Sequence, residues 1–284
     1  MKFTKMQGCG NDYILIDEEK ETVEEKEKGK LAKKLCDRHF GVGADGILYV
    51  KKIPREDKLS LERFSMEIYN MDGSKANMCG NGMRCVAAYV YKMGYLKEKR
   101  CNVICGGAVK GIEILKEEPL QIRVNMGKPE LMAQKIPVLS ASDFVINETI
   151  GDAFEVLRMT CVSMGNPHAV IYVESPTKEL VERIGPKIAY GPRFPEHTNV
   201  EFVKVMDREH LTLRVWERGV GETLACGTGC CAALVASYIN GLTERKVTVK
   251  LLGGKLCCEW DSEDANVYLT GPAKFVYEGE VKDY

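Results

Sequence analysis

The chain has 284 residues, 40 Lys and Arg against 41 Asp and Glu, and a formal net charge of −1. That balance gives no basic surface for nucleic acid, and no apolar run nears the roughly 20 residues of a membrane helix. A hydrophobic fraction of 45% allows two domains of ordinary size, each with its own core.

The opening residues carry no apolar export segment, and the twelve cysteines include no C-x-x-C pair. Reduced thiols in the cytoplasm are therefore expected, rather than a disulfide framework. The four histidines, at 39, 168, 197 and 210, lack metal-ligand spacing. No metal and no cofactor are expected: no Gly-x-Gly-x-x-Gly follows a strand and opens a helix.

In chain order, residues 3–7 and 13–16 read as short apolar strands around the glycine loop Gly8-Cys9-Gly10-Asn11-Asp12. Residues 18–34 mix both charge signs, as a solvated face does, and 28–38 have helical spacing. The loop from Gly41 to Gly46 leads to a strand over 47–50. Residues 64–69 alternate like a half-buried strand, and Asp72-Gly73 is a turn. Residues 82–93 read as a helix closed by Gly94. A strand over 120–124 ends the first half. In the second half Gly165-Asn166-Pro167-His168 precedes a strand over 169–173. Strands over 200–203 and 211–216 follow, then a helix over 230–239 that is apolar nearly all round and so buried. Helices are too few for a βαβ alternation. The fold class is α+β: two pseudo-symmetric domains, each a mainly antiparallel, barrel-like sheet wrapped on one central helix. The expected boundaries are 1–124 plus 273–284, and 125–272.

The symmetry is legible in the residues. Cys79-Gly80-Asn81-Gly82 returns as Cys226-Gly227-Thr228-Gly229, Asn70 as Glu217, Gly94 as Gly241 and Gly106-Gly107 as Gly253-Gly254, always 147 positions apart. Such a period is a duplicated domain, not a solenoid repeat of about 20–50 residues. Asn166 follows Asn11 by 155 positions.

A cysteine before Gly-x-Gly at a helix start combines two properties. The unpaired N–H groups and the helix dipole cradle an anion, and a thiolate there is favoured, with its pKa lowered from about 8.5. Two such starts suit stereoinversion, one thiolate taking a proton from Cα and the other thiol returning one to the opposite face. The remaining cysteines read as small packing residues.

Four further runs extend the pattern: Lys5-Met6-Gln7-Gly8-Cys9-Gly10-Asn11-Asp12, Asn70-Met71-Asp72-Gly73-Ser74, Ser163-Met164-Gly165-Asn166-Pro167-His168, and Glu217-Arg218-Gly219-Val220-Gly221 up to Cys226. With the two Cys-Gly-x-Gly starts, the chain resembles the diaminopimelate epimerase family from end to end. The resemblance implies cofactor-independent conversion of LL- to meso-2,6-diaminopimelate in lysine and peptidoglycan synthesis. It also implies an active site in the cleft between two similar domains, and a homodimer. Carried over, Cys79 and Cys226 are the acid/base pair. Gly80, Asn81, Gly227 and Thr228 form the carboxylate cradle, and Asn11, Asn70, Asn166, Asn199, Glu217 and Arg218 make the other substrate contacts. His168, with Glu217, supports the acid/base chemistry. Some members carry a glutamine where this chain has Gly46, which offers no side-chain amide.

Two other functions compete. Relatives acting on proline or hydroxyproline share paired cysteines but open with Cys-Gly-His, and proline lacks the second charged end that Arg218 would pair with bidentately. A thiol-redox or metal-binding protein would need the C-x-x-C or ligand spacing that is absent. Two thiols serving one Cα are also expected to oxidise to a Cys79–Cys226 disulfide, with loss of activity that dithiothreitol restores.

Overall fold

The computed structural model describes the whole chain except Glu56, Lys58, Leu59, Asn77, residues 152–155, Asp283 and Tyr284. The chain divides into two units, Met1–Asn125 with Thr270–Tyr284, and Met126–Leu269.

The first unit runs β1 (Lys2–Gly8), β2 (Asn11–Asp17), α1 (Glu25–Leu35), β3 (Gly46–Ile53), β4 (Glu62–Asn70), β5 (Lys75–Ala76), α2 (Gly80–Lys92), β6 (Arg100–Cys105), β7 (Ala108–Glu117) and β8 (Leu120–Gly127). The second repeats the order with β9 (Glu148–Gly151) placed ahead of it: β10 (Val156–Ser163), β11 (Pro167–Tyr172), α3 (Lys178–Ala189), β12 (Asn199–Asp207), β13 (His210–Glu217), β14 (Gly221–Thr223), α4 (Gly227–Ile239), β15 (Lys246–Leu251), β16 (Gly254–Trp260) and β17 (Val267–Gly271). The last strand, β18 (Lys274–Glu280), pairs antiparallel with β1.

Pairing repeats as well. Most neighbours are antiparallel, but among the described residues each unit has two parallel pairs, β2–β3 and β4–β6 in the first, β11–β12 and β13–β15 in the second. A parallel pair needs a crossover, and the helices supply it. The inner parallel strands are covered on both faces, so they read as unbroken apolar runs such as Tyr13-Ile14-Leu15-Ile16, whereas β4 alternates over most of its length, burying Phe64, Met66 and Ile68 with half-buried residues between them.

Two helices explain this burial. On one face, Ile14, Ile16, Ile47 and Tyr49 pack with Leu31, Ala32 and Leu35 of α1. In the second unit Ala169, Ile171, Val200 and Phe202 pack with Val181, Ile184 and Ile188 of α3. Each of these larger apolar side chains contributes about 1.5–3 kcal/mol on burial. The opposite face of the sheet meets the inner helix, as the approach of Leu48 to Gly82 of α2 illustrates. Alternation along β3 and β12 therefore decides which residue faces which helix.

α2 is buried from Gly80 to Val90 and α4 from Gly227 to Ser237, as expected for the central helix of each half. Both begin earlier than the apolar pattern suggests, at residue 80 rather than 82 and at 227 rather than 230, because the cysteine itself is the N-cap. Gly94 and Gly241 follow the two helices with φ of 71° and 72°, the left-handed conformation that ends a helix. α1 likewise begins and ends three residues before the expected 28–38. α3 has no counterpart among the sequence expectations, since Gly185 and Pro186 disguise it. Thr177 caps its start by accepting from the Leu180 N–H, and Gly185 is required by contact, a Cβ there meeting the Trp216 side chain at 2.6 Å.

Candidate active site

The two cysteine-bearing helix starts have the same scaffold and different surroundings. In the first unit Cys79 caps α2 with extended backbone (φ −150°, ψ 114°), and its Sγ accepts from the Gly82 N–H at 3.3 Å. The Tyr13 hydroxyl lies 2.8 Å from the sulfur and also bonds Asn11 Oδ1. Burial first, and then the nearby Cys79, pushes the Tyr13 pKa far above that of a free phenol, so the ring keeps its proton. That single proton has two acceptors. With a Cys79 thiol it goes to Asn11; with a thiolate it turns to sulfur, and Asn11 Oδ1 keeps the bond it accepts from Asn81 Nδ2 at 3.2 Å.

Donor-only and acceptor-only groups anchor the asparagines. Arg84 Nη2 donates to Asn81 Oδ1 at 2.7 Å, and Asn11 Nδ2 donates to Asp45 Oδ2 at 2.6 Å. Arg84 is fully buried, and its partners among the described residues are neutral: the carbonyls of Pro272 and Gly80, Asn81 Oδ1 and Cys9 Sγ. A buried cation without a carboxylate is costly to a fold.

In the second unit Cys226 caps α4 (φ −116°, ψ 112°) and is only 5% exposed. Its sulfur lies 3.4 Å from Thr228 Oγ1. Asn166 Nδ2 donates to the same oxygen at 3.3 Å, and Asn166 Oδ1 faces His168 Nε2 at 3.0 Å. The other ring nitrogen, Nδ1, lies 2.7 Å from Glu201 Oε1. His168 and Glu201 are both fully buried, and Glu201 Oε2 has no hydrogen-bond partner among the described residues. An unsatisfied buried polar atom costs about 1–3 kcal/mol. Glu217, at the end of β13, is bonded by the Thr223 hydroxyl. Burial first, then the charge of Glu201, raises its carboxyl pKa.

One expectation is reversed here. A thiol at a helix start should be acidified, yet Cys226 is pushed well above the ordinary thiol range. Burial is the main cause, followed by the carboxylates of Glu217 and Glu201; the contact with Thr228 opposes them and loses. A helix start that carries about half a charge thus does not by itself acidify a thiol that is buried beside two acids.

The other predicted residues lie as follows. Gly80 and Gly227 are the first residues of their helices, and Thr228 and Asn81 the second. Asn70 ends β4 and donates to Ser74 Oγ at 3.0 Å in the turn. Asn199 is buried and holds backbone: it donates to the Pro167 carbonyl and accepts from the Arg218 N–H, both at 2.9 Å. Arg218 is exposed, with Nη1 on the Glu196 carbonyl. At Gly46 a Cβ would lie 2.6 Å from the Tyr69 carbonyl oxygen, so the backbone here closes over the space a glutamine side chain would need. The cysteines read as packing residues are buried, except Cys257, which is half-buried. A surface hollow of about 750 Å³ lined by Ser140, Glu148 and Arg193 contains none of the predicted residues.

Tyr13, Arg84 and Glu201 were not anticipated. The 155-residue offset that pairs Asn11 with Asn166 also pairs Tyr13 with His168, and Glu201 is a lone acid in the apolar run Val200-Glu201-Phe202-Val203. Arg84 gave a weaker signal, as a charge among the apolar positions of α2.

The fold is one already seen in solved structures. That of a probable proline racemase from Agrobacterium radiobacter K84 superimposes with a TM-score of 0.71 over 100% of this chain and 93% of that one, at 12% identity. The two proteins thus share one fold.

Sequence similarity narrows this. The family model for diaminopimelate epimerase matches residues 3–132 and 160–276. The diaminopimelate epimerase of Acetivibrio thermocellus is 47% identical over 283 residues, covering 99% of this chain and 98% of that one. That of Methanococcus maripaludis strain C5 is 44% identical, covering 99% of each. The chain belongs to the diaminopimelate epimerase family, and it is an isomerase.

Proposed function

We propose that this protein interconverts LL- and meso-2,6-diaminopimelate by a two-base mechanism, supplying lysine and peptidoglycan synthesis from the cytoplasm as a homodimer. The observation that carries it is the matched pair of N-cap cysteines, each on the first turn of a buried helix with a Gly-x-Gly start. The two units correspond to the two copies of the duplicated sequence, and each supplies one cysteine.

In one direction the Cys79 thiolate takes the Cα proton. The C–H electron pair moves onto Cα and the carboxylate, whose oxygens gain charge against the helix-start N–H groups. Each preorganised donor there is worth about 3–4 kcal/mol. The Cys226 S–H bond then breaks, and its proton joins Cα on the opposite face. The raised pKa of Cys226 supports its starting as the thiol. In the reverse direction the roles exchange. Gly80, Asn81, Gly227 and Thr228 bind the reacting carboxylate. Asn11, Asn70, Asn166, Asn199, Glu217 and Arg218 bind the rest of the substrate, Arg218 suiting the distal carboxylate. His168 and Glu217 support the thiols.

The purified, reduced protein is expected to form meso-diaminopimelate from the LL isomer with no cofactor added and to leave proline unchanged, as followed by chiral chromatography. Turnover of proline with diaminopimelate untouched would contradict the assignment.

A further inference from the structure

Matching strands places Tyr13 opposite Gly46 in the first unit and His168 opposite Asn199 in the second. Two residues beyond these partners stand Leu48 and Glu201. In the first unit Leu48 is apolar and the Tyr13 hydroxyl meets the Cys79 sulfur directly. In the second, no hydrogen bond joins His168 to Cys226 among the described residues. A relay of four contacts does so instead, at 2.7 Å from Glu201 to His168, 3.0 Å on to Asn166, 3.3 Å on to Thr228 and 3.4 Å to sulfur.

The relay has a direction. An amide oxygen only accepts, so the His168 Nε2 that faces Asn166 Oδ1 carries a hydrogen. The amide nitrogen of Asn166 only donates, so Thr228 Oγ1 accepts from it and turns its own proton toward sulfur. At the far end Glu201 faces Nδ1 and shares a proton with it.

We propose that Glu201 is a positioning residue for Cys226: its buried carboxylate, through His168, sets the polarity of the Asn166–Thr228 relay so that a hydroxyl proton is aimed at the sulfur. Two further features fit. A Cβ on Gly229 would lie 2.7 Å from Glu201 Oε1, so glycine there admits the carboxylate to the first turn of α4. Packing alone would be served by an apolar residue, as Leu48 serves in the other half, and would not leave Oε2 unpartnered.

The relay matters to catalysis if Cys226 is the second acid/base, the function proposed above. It stabilises the thiolate that Cys226 becomes in every turnover. The ratio of kcat/KM in the two directions is fixed by the overall equilibrium, so breaking the relay lowers both by one factor.

The test has two arms. Nitrogen-15 NMR of the histidine-labelled wild-type protein, with His168 assigned from a His168→Gln spectrum, should show Nε2 protonated at neutral pH. In a double-mutant cycle, Glu201→Gln and Thr228→Val should each lower kcat/KM about tenfold, and the double variant should be no slower than the slower single one. An unprotonated Nε2, or losses that multiply, would overturn the proposal. If the Glu201→Gln protein does not fold, the NMR arm decides alone. Wild-type protein that fails to epimerise diaminopimelate would remove the function but leave the Nε2 result standing.

Discussion

Cys79 and Cys226 hold the same place in two copies of one element order, yet different groups surround them. Cys79 has a buried phenol on its sulfur and, through Asn81 and Asn11, the buried guanidinium of Arg84. Cys226 has the carboxyls of Glu217 and Glu201. The asparagines shared by the two sites are turned oppositely: Asn11 offers its oxygen toward the helix start, Asn166 its nitrogen. Duplication supplies the capped helix twice. A few exchanges on the facing strands, Tyr13 for His168, Leu48 for Glu201 and Asn70 for Glu217, then make the two thiols chemically unlike. In the proposed reaction one sulfur holds a proton while the other lacks one, and the unlike surroundings bias which is which.

The harshest way to break the comparison is to remove either sulfur. Cys79→Ala and Cys226→Ala should each lower epimerisation by about 10³-fold or more, the upper range of positioned acid–base catalysis. Near-normal turnover in either variant, measured by the meso-product assay, would show that the halves do not share the chemistry. Tyr13→Phe is milder and tests the first half alone. A hydrogen bond to a charged group is worth about 1.5–3 kcal/mol, so kcat/KM should fall about ten- to hundredfold, equally in both directions.

Stability against pH separates the halves by sign. The Glu217 carboxyl binds protons more tightly in the folded chain, burial being the main cause. Between the ordinary value of 4.5 and the raised one the folded state holds more protons than the unfolded state, so stability falls as pH rises through that window. Glu217→Gln removes this loss, and the variant should melt above the wild type at pH 7. In the first half Glu25 is held down to about 2, first by the Lys75 hydrogen bond and then by Tyr69. Its contribution is full above 4.5 and lost as pH falls toward 2, and it is small because the pair is exposed. Melting curves of Glu25→Gln should therefore differ from wild type only slightly, and least in acid.

The subtlest comparison lies in matched glycines. A Cβ on Gly82 would meet Leu48 Cδ2 at 3.1 Å, the end of a flexible side chain, whereas one on Gly229 meets the pinned Glu201 carboxylate at 2.7 Å. Gly229→Ala should destabilise by about 1–3 kcal/mol. Gly82→Ala should stay within about 1 kcal/mol, since alanine regains helix propensity of that order. Denaturant midpoints would reveal equal costs if the carboxylate is not fixed.

Much of this was legible in the chain. The 147-residue offset located both helix starts, and the continuous apolar strands marked the layer beneath them. What escaped notice depends on partners distant in sequence. α3 was hidden because Gly185 looks like a breaker until Trp216 is seen against it. The pKa of Cys226 could not follow from its helix start alone, since Glu217 and Glu201 converge on it from two other strands. Glu201 resembles an ordinary strand residue until alternation along β12 turns it toward α4.

The partition of label at early times tests most directly whether two unlike thiols serve opposite faces of one carbon. With LL-diaminopimelate and reduced protein in deuterium oxide, meso product formed in the first few per cent of reaction should carry deuterium at the inverted Cα, while recovered LL substrate stays protiated. Deuterium entering substrate and product at equal rates would mean that a single exchangeable base serves both faces, contradicting the account.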